Sequence, residues 1–174
     1  MRNKVLLIIA FCGFMTLCHG QQGSAWNKWN WLMGEWSGES DGQTGRGGGT
    51  FSLNPGLDNK ILIRKNHAEY PATDNKPQII HEDLMIVYLD PTGNPSNAVY
   101  FDNEGHTINY AIAYPNKSIV LTSDKTKNAP VFRVTYELID NQSIKVKFEM
   151  SQDGETFLTY TEGKCKRTGK SGEQ

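Results

Sequence analysis

From Gly34 to Arg167 the chain alternates apolar and polar residues with a period of two, interrupted at short intervals by Gly, Pro, Asn and Asp. A period of two sends successive side chains to opposite faces of a strand, so the segments read as half-buried β-strands. The cleanest are "VFRVTYEL", in which Phe132, Val134, Tyr136 and Leu138 share a face, and "SIKVKFEM", in which Ile144, Val146, Phe148 and Met150 oppose Lys145, Lys147 and Glu149. Before them come "GEWSGES", "GGTFSLN", "KILIRKNHAEY", "QIIHEDLMIVYLD", "NAVYFD", "HTINYAIAY" and "SIVLTSD". After them Asp153–Gly154, a two-residue hairpin signal, precedes "TFLTYTEGKCKR". The pattern gives about ten short strands and no repeat unit. Closing such a meander on itself removes its exposed edges. The expectation is all-β: a single up-and-down antiparallel β-barrel of about ten strands. Trp26, Trp29 and Met33 fall on one helical face, which predicts a short helix or turn closing one end of the barrel, with Trp26, Trp29 and Trp31 as its plug.

The first twenty residues do not fit this pattern. Arg2 and Lys4 precede an apolar run from Val5 to Leu17, and Cys18, His19 and Gly20 follow. A charged start, a short apolar stretch and a small residue at the end describe a secretory signal peptide, and the run is short of the roughly 20 residues of a bilayer span. The organisation expected is therefore 1–20 signal peptide, 21–33 plug segment, 34–168 barrel and 169–174 flexible tail, in a secreted or periplasmic protein whose mature chain begins at Gln21. Lipid attachment at Cys18 is the alternative for this segment, weakened by Leu17 where a small residue is wanted.

Cleavage changes the rest of the picture. Cys12 and Cys18 go, Cys165 stands alone, and the domain must rely on its core rather than on a disulfide. Removing Arg2 and Lys4 lowers the 18 basic residues to 16 against 19 acidic ones, a formal charge of −3. With no basic face or nucleic-acid motif, the electrostatic footprint of a DNA or RNA binder is absent. "GRGGG", residues 45–49, lacks the Gly-Lys-Ser/Thr ending of a phosphate loop and reads as a bent strand in a small barrel.

Gly34-Glu35-Trp36 on the first strand, with Lys164, Lys166 and Arg167 on the last, resembles the signature of the calycin superfamily, which includes lipocalins and fatty-acid-binding proteins. The resemblance implies that a basic residue such as Arg167 lies across Trp36 and closes the barrel end, and that the barrel encloses a ligand cavity. "WLMGEW", "RKNHAEYP", "HEDLM" and "YFDNEGH" look most like nitrobindin-like and related uncharacterised bacterial barrels. Nitrobindin-like proteins bind heme through a histidine near the end of the barrel; "TYTEGKCKRTGK" contains none, so no heme is expected. The partner implied is one small hydrophobic or amphipathic molecule.

Three histidines lie beyond residue 20, each with acidic company: His67 with Glu69, His81 with Glu82 and Asp83, and His106 with Asp102 and Glu104. If Tyr70 pairs with Gln78, His67 falls opposite His81. The turn at Asn103–Gly105 brings Asp102 and His106 face to face at the same end of the sheet. His106 shares parity with Ile108, Tyr110 and Ile112, an inward aim; strands 61–70 and 79–88 are apolar on both faces and leave the facing of His67 and His81 open. The candidate ligand-binding residues are His67, His81, His106, Asp102, Tyr100, Arg64 and Tyr110, with Arg64 as a possible clamp for a ligand carboxylate. The competing readings are polar residues that merely decorate strand ends, acid/base catalysis by histidine and carboxylate, and a zinc site. No close-spaced histidine pair anchors zinc, no nucleophile motif supports a hydrolase, and a filled structural barrel would need no ligand.

Overall fold

The computed structural model of the protein describes residues 25–38, 48–127 and 129–168. The expected signal peptide, Cys18, most of the glycine-rich hinge and the expected tail lie outside the described residues. Ten strands are present: β1 (Gly34–Gly38), β2 (Gly48–Gly56), β3 (Ile61–Tyr70), β4 (Ile79–Tyr88), β5 (Asn97–Asp102), β6 (Thr107–Ala113), β7 (Ser118–Ser123), β8 (Val131–Asp140), β9 (Ser143–Ser151) and β10 (Leu158–Arg167). Each pairs antiparallel with its sequence neighbours, and β1 pairs with β10, closing the barrel. The described residues contain no helix. Residues 25–32 form consecutive turns instead, the second of the two forms expected for the plug.

The period-two pattern sorts directly into inside and outside. Phe51 and Leu53 of β2, Leu62 of β3, Met85 and Val87 of β4, Tyr110 of β6, Leu121 of β7, Tyr136 of β8 and Ile144 of β9 are buried in one core. Outward positions of β9 are charged: Lys145, Lys147 and Glu149. Arg133, which alternates with Phe132 and Val134, points outward; its Nε donates to Glu149 at 2.8 Å and its guanidinium lies 3.8 Å from the centre of the Phe157 ring.

One end of the barrel is sealed by tryptophans. Trp26 and Trp29 are buried and Trp31 is partly so. The Trp26 indole N–H donates to the carbonyl of Asn59 at 2.8 Å, in a β2–β3 turn where Leu57, Asp58 and Asn59 all adopt left-handed φ. Trp29 Nε1 donates to the Tyr114 hydroxyl at 2.9 Å, and that hydroxyl donates to the carbonyl of Pro95. The plug therefore ties together the loops that follow β2, β4 and β6, and the turns cost little because their donors are satisfied. In the β4–β5 loop, Asp90 accepts from Thr92 Oγ1, Asn94 N, Ser96 Oγ and Thr92 N, which draws its carboxyl down to about 2.

Trp36 sits just above this plug, fully buried, its ring stacked on Phe51. The Arg167 guanidinium lies 4.3 Å from the indole centre and donates to the carbonyls of Met33 at 2.6 Å and Trp31 at 2.7 Å. Trp36 Nε1 donates to Leu32 O at 2.8 Å. The strap joins the first strand, the last strand and the plug, with a cation–π term of about 2 kcal/mol for a desolvated pair. Gly34 is required here: its φ is +112°, and a Cβ would lie 2.7 Å from Arg167 Nη1.

Candidate functional site

The loops after β3, β5, β7 and β9 lie at the opposite end, and two unlike walls of inward side chains run towards it. The polar wall comes from β3 to β6. Arg64, on the inward parity of Leu62, is largely buried in the lumen, its side chain 13% exposed, and pairs through Nη1 with Asp83 Oδ1 of β4. Burial works against its charge, but Tyr136, Asp83 and Tyr100 around it prevail and raise its pKa. Asp83 stands directly opposite Asp102 of β5 on the same inner face, with both carboxylates about 5% exposed or less. Two like charges so placed repel unless each has its own partner. Asp83 has Arg64. Asp102 Oδ1 accepts from the backbone N–H of His106 at 2.9 Å and of Glu104 at 3.1 Å, and Oδ2 lies 2.8 Å from His106 Nδ1. Burial alone would lift the Asp102 carboxyl, but the bonds from His106 and Tyr100 outweigh it and lower its pKa. The same contact raises that of His106.

His81 completes the wall. Its Nδ1 lies 3.2 Å from Glu104 Oε1 and its Nε2 3.1 Å from the Tyr100 hydroxyl, which also bonds Asp102 Oδ2 at 3.2 Å. A continuous chain of contacts thus runs Arg64, Asp83, His81, Tyr100, Asp102, His106 from the floor of the lumen to the rim. Burial first, then the two aspartates, push the Tyr100 phenol well above its ordinary value; burial and Tyr136 do the same to Tyr110 beneath it. These phenols are neutral donors and acceptors at physiological pH, not phenolate nucleophiles.

The facing wall is aromatic. Phe132 of β8 stacks on Phe148 of β9 with centroids 5.7 Å apart, and Tyr160 of β10 meets Phe148 edge-on at 5.9 Å. A bulge between Thr159 and Thr161 brings Tyr160 to the inner side, where parity alone would have put it outside. Leu158 pairs with Met150 on that side too. Leu158 and Tyr160 are 71% and 70% exposed, the largest apolar exposures of inward side chains. This wall is not among the candidate residues above, although the shared parity of Phe132, Val134 and Tyr136, and of Phe148 and Ile144, marks its β8 and β9 members as inward.

Three expectations are corrected. Tyr70 pairs with Ile79, not Gln78, so His67 faces Glu82 and His81 faces Ala68. The shift of one residue sends His67 to the outer face, where its Nε2 lies 3.0 Å from Glu69 and Nδ1 3.3 Å from Glu82, contacts that raise its pKa. His67 therefore does not join His81 and His106 on one rim. Asn103, expected only to reverse the chain, extends the β4–β5 ladder: its Oδ1 accepts from Glu82 N at 3.2 Å and its Nδ2 donates to Ile80 O at 3.0 Å. Glu104, in the same turn, holds His81, and Gly105 supplies the positive φ that the reversal needs. Similarly, Asp153–Gly154 turn the chain within a longer loop, residues 152–157, because Asp153 Oδ1 gathers Ser151, Glu155 and Thr156.

Arg64, His81, Tyr100, Asp102 and Tyr110 are thus brought together inside one end of the barrel, with His106 exposed at its rim. An open depression of about 450 Å³ lies over β3 to β5, lined by Lys65, Glu82, Leu84 and Phe101 of outward parity and also by Asn66, Asp83 and Asp102 of the inner wall. The described residues hold no group of three or more His, Cys, Asp or Glu side chains arranged to grip a metal ion, and no helix long and apolar enough to cross a membrane.

No protein-family model and no curated protein matches the chain. Its fold is similar to that in the crystal structure of Rv2717c from M. tuberculosis, with a TM-score of 0.52 and 11% sequence identity over 83% of this chain and 98% of that one. The likeness concerns the fold.

Proposed function

We propose that this protein is a secreted, calycin-type barrel that holds one small amphipathic molecule in the open half of its lumen. The observation that carries the reading is the pair of unlike walls: a hydrogen-bonded polar wall faces aromatic side chains whose apolar surface is left in water. Exposed apolar surface inside a concave, polar-rimmed space is the usual signature of a ligand site. Covering on the order of 200 Å² of it contributes about 5 kcal/mol of transfer energy before association costs. The apolar body of the ligand lies along Phe132, Phe148 and Tyr160. Its head meets the Arg64, Tyr100, His81 and Tyr110 side. The strap of Arg167 over Trp36 supports the calycin reading, since it closes the other end in the way that the signature implies.

Titration with the uncharged fluorophore N-phenyl-1-naphthylamine tests the proposal. Saturable one-to-one binding is expected, weakened about fivefold or more by Phe148→Ala or Tyr160→Ala, changes that each remove about 1 kcal/mol or more of contact. Lys65→Ala, at the outer depression, leaves it unchanged. Full affinity in both aromatic variants would remove the lumen from consideration.

A further inference from the structure

The lumen also constrains the charge of what it holds, an inference that rests on the lumen-binding reading. Arg64 is the only Lys or Arg side chain that the described residues of β3 to β9 direct inward; Lys65, Arg133, Lys145 and Lys147 have outward parity. In a lumen where a lone arginine faced the ligand, a carboxylate would be the natural partner. Here that charge is already matched. Asp83 sits on Arg64, Asp102 on His106 and Glu104 on His81, so three anionic groups accompany the three basic ones. A ligand carboxylate would enter as an unmatched fourth anion beside two buried aspartates; an ammonium head would find every carboxylate already engaged.

Two polar groups on the floor remain unspent. The buried Nε–H of Arg64 has no acceptor, and burying a donor without one is disfavoured. The Tyr110 hydroxyl, near Arg64, is neutral and takes part in no hydrogen bond among the described residues. Both suit an uncharged oxygen, which accepts from Nε–H and from a phenol and, when it belongs to an alcohol, also donates. We infer that the head group bound is uncharged, an alcohol, amide or carbonyl oxygen seated on Arg64 Nε and Tyr110, and that the protein discriminates against fatty acids and amines of the same chain length.

The test is competition against N-phenyl-1-naphthylamine at pH 6 by dodecan-1-ol, dodecanamide, dodecanoate and dodecylamine. The alcohol or amide should displace the probe at a concentration at least tenfold below that of dodecanoate and of dodecylamine. In Asp83→Asn, which frees the charge of Arg64, dodecanoate should gain at least tenfold relative to the alcohol. If that variant does not fold, as judged by circular dichroism, Asp102→Asn makes the same change of charge with the Arg64–Asp83 pair intact, and a gain of about threefold or more is expected. Dodecanoate or dodecylamine matching or beating the alcohol in the wild type would overturn the inference while leaving lumen binding in place. So would an unchanged alcohol-to-acid ratio in the folded variant. Probe binding that no competitor relieves, or that both Phe148→Ala and Tyr160→Ala leave intact, would instead overturn the lumen reading itself.

Discussion

Trp36 shows how much one side chain holds in place at the residue scale. It is fully buried, stacked on Phe51, strapped by Arg167 and bonded to Leu32 O. Trp36→Ala should cost about 3–5 kcal/mol, since the ring leaves a large void between plug and barrel. Urea denaturation measures this, and an unchanged midpoint would contradict the strap. The Asp102–His106 pair gives a second prediction, with its sign fixed by both partners. His106 has a raised pKa, so its contribution is complete below about pH 6.5 and is lost as pH rises through the raised value. Asp102 has a lowered pKa, so its contribution is complete above about pH 4 and is lost as pH falls through the lowered value. The melting-temperature gap between wild type and His106→Gln should be widest between about pH 4 and 6.5 and should narrow on both sides. A gap independent of pH would mean that the contact is no ion pair.

Register is what decides the site at the scale of elements. All ten strands were legible, because alternation and turn residues report local geometry, and the inward aim of His106 followed from Ile108, Tyr110 and Ile112 on the same strand. The β3–β4 hairpin was not. Both of its strands are apolar on both faces, so no side-chain pattern distinguishes one register from its neighbour, and the loop from 71 to 78 leaves the pairing free by a residue. Inward parity alone made Met85 a companion of Leu62 rather than of Ile63, yet that parity was masked by Ile61, Ile63, Leu84 and Ile86 outside. The Tyr160 bulge was illegible for another reason: an extra residue in β10 leaves no mark in a run of polar side chains. Two substitutions follow from the corrected register. His67→Ala should leave probe affinity unchanged while His81→Ala weakens it severalfold; equal losses would restore the opposed pair. Asn103→Ala should cost about 1–2 kcal/mol, because its side chain satisfies two backbone groups of β4, and thermal unfolding reads this directly.

For the whole molecule, the barrel is asymmetric along its axis: tryptophans, the Arg167 strap and three tied loops close one end, while Leu158 and Tyr160 stay exposed towards the other. We propose secretion on the pattern of the first twenty residues, and the intact mass of the exported protein should then correspond to a chain starting at Gln21. Retention of residues 1–20 would refute it, and a diacylglyceryl mass on Cys18 would establish the anchored form. The central claim is that the ligand enters the lumen rather than the outer depression over β3 to β5. Methyl-labelled NMR titration with dodecan-1-ol separates the two most directly. Ile108 and Met150 have inward parity near the open end, whereas Leu84 and Ile86 have outward parity on β4. Saturable shifts of the Ile108 and Met150 methyls, with Leu84 and Ile86 still, are predicted. Shifts of Leu84 and Ile86 with Ile108 and Met150 still would contradict the account.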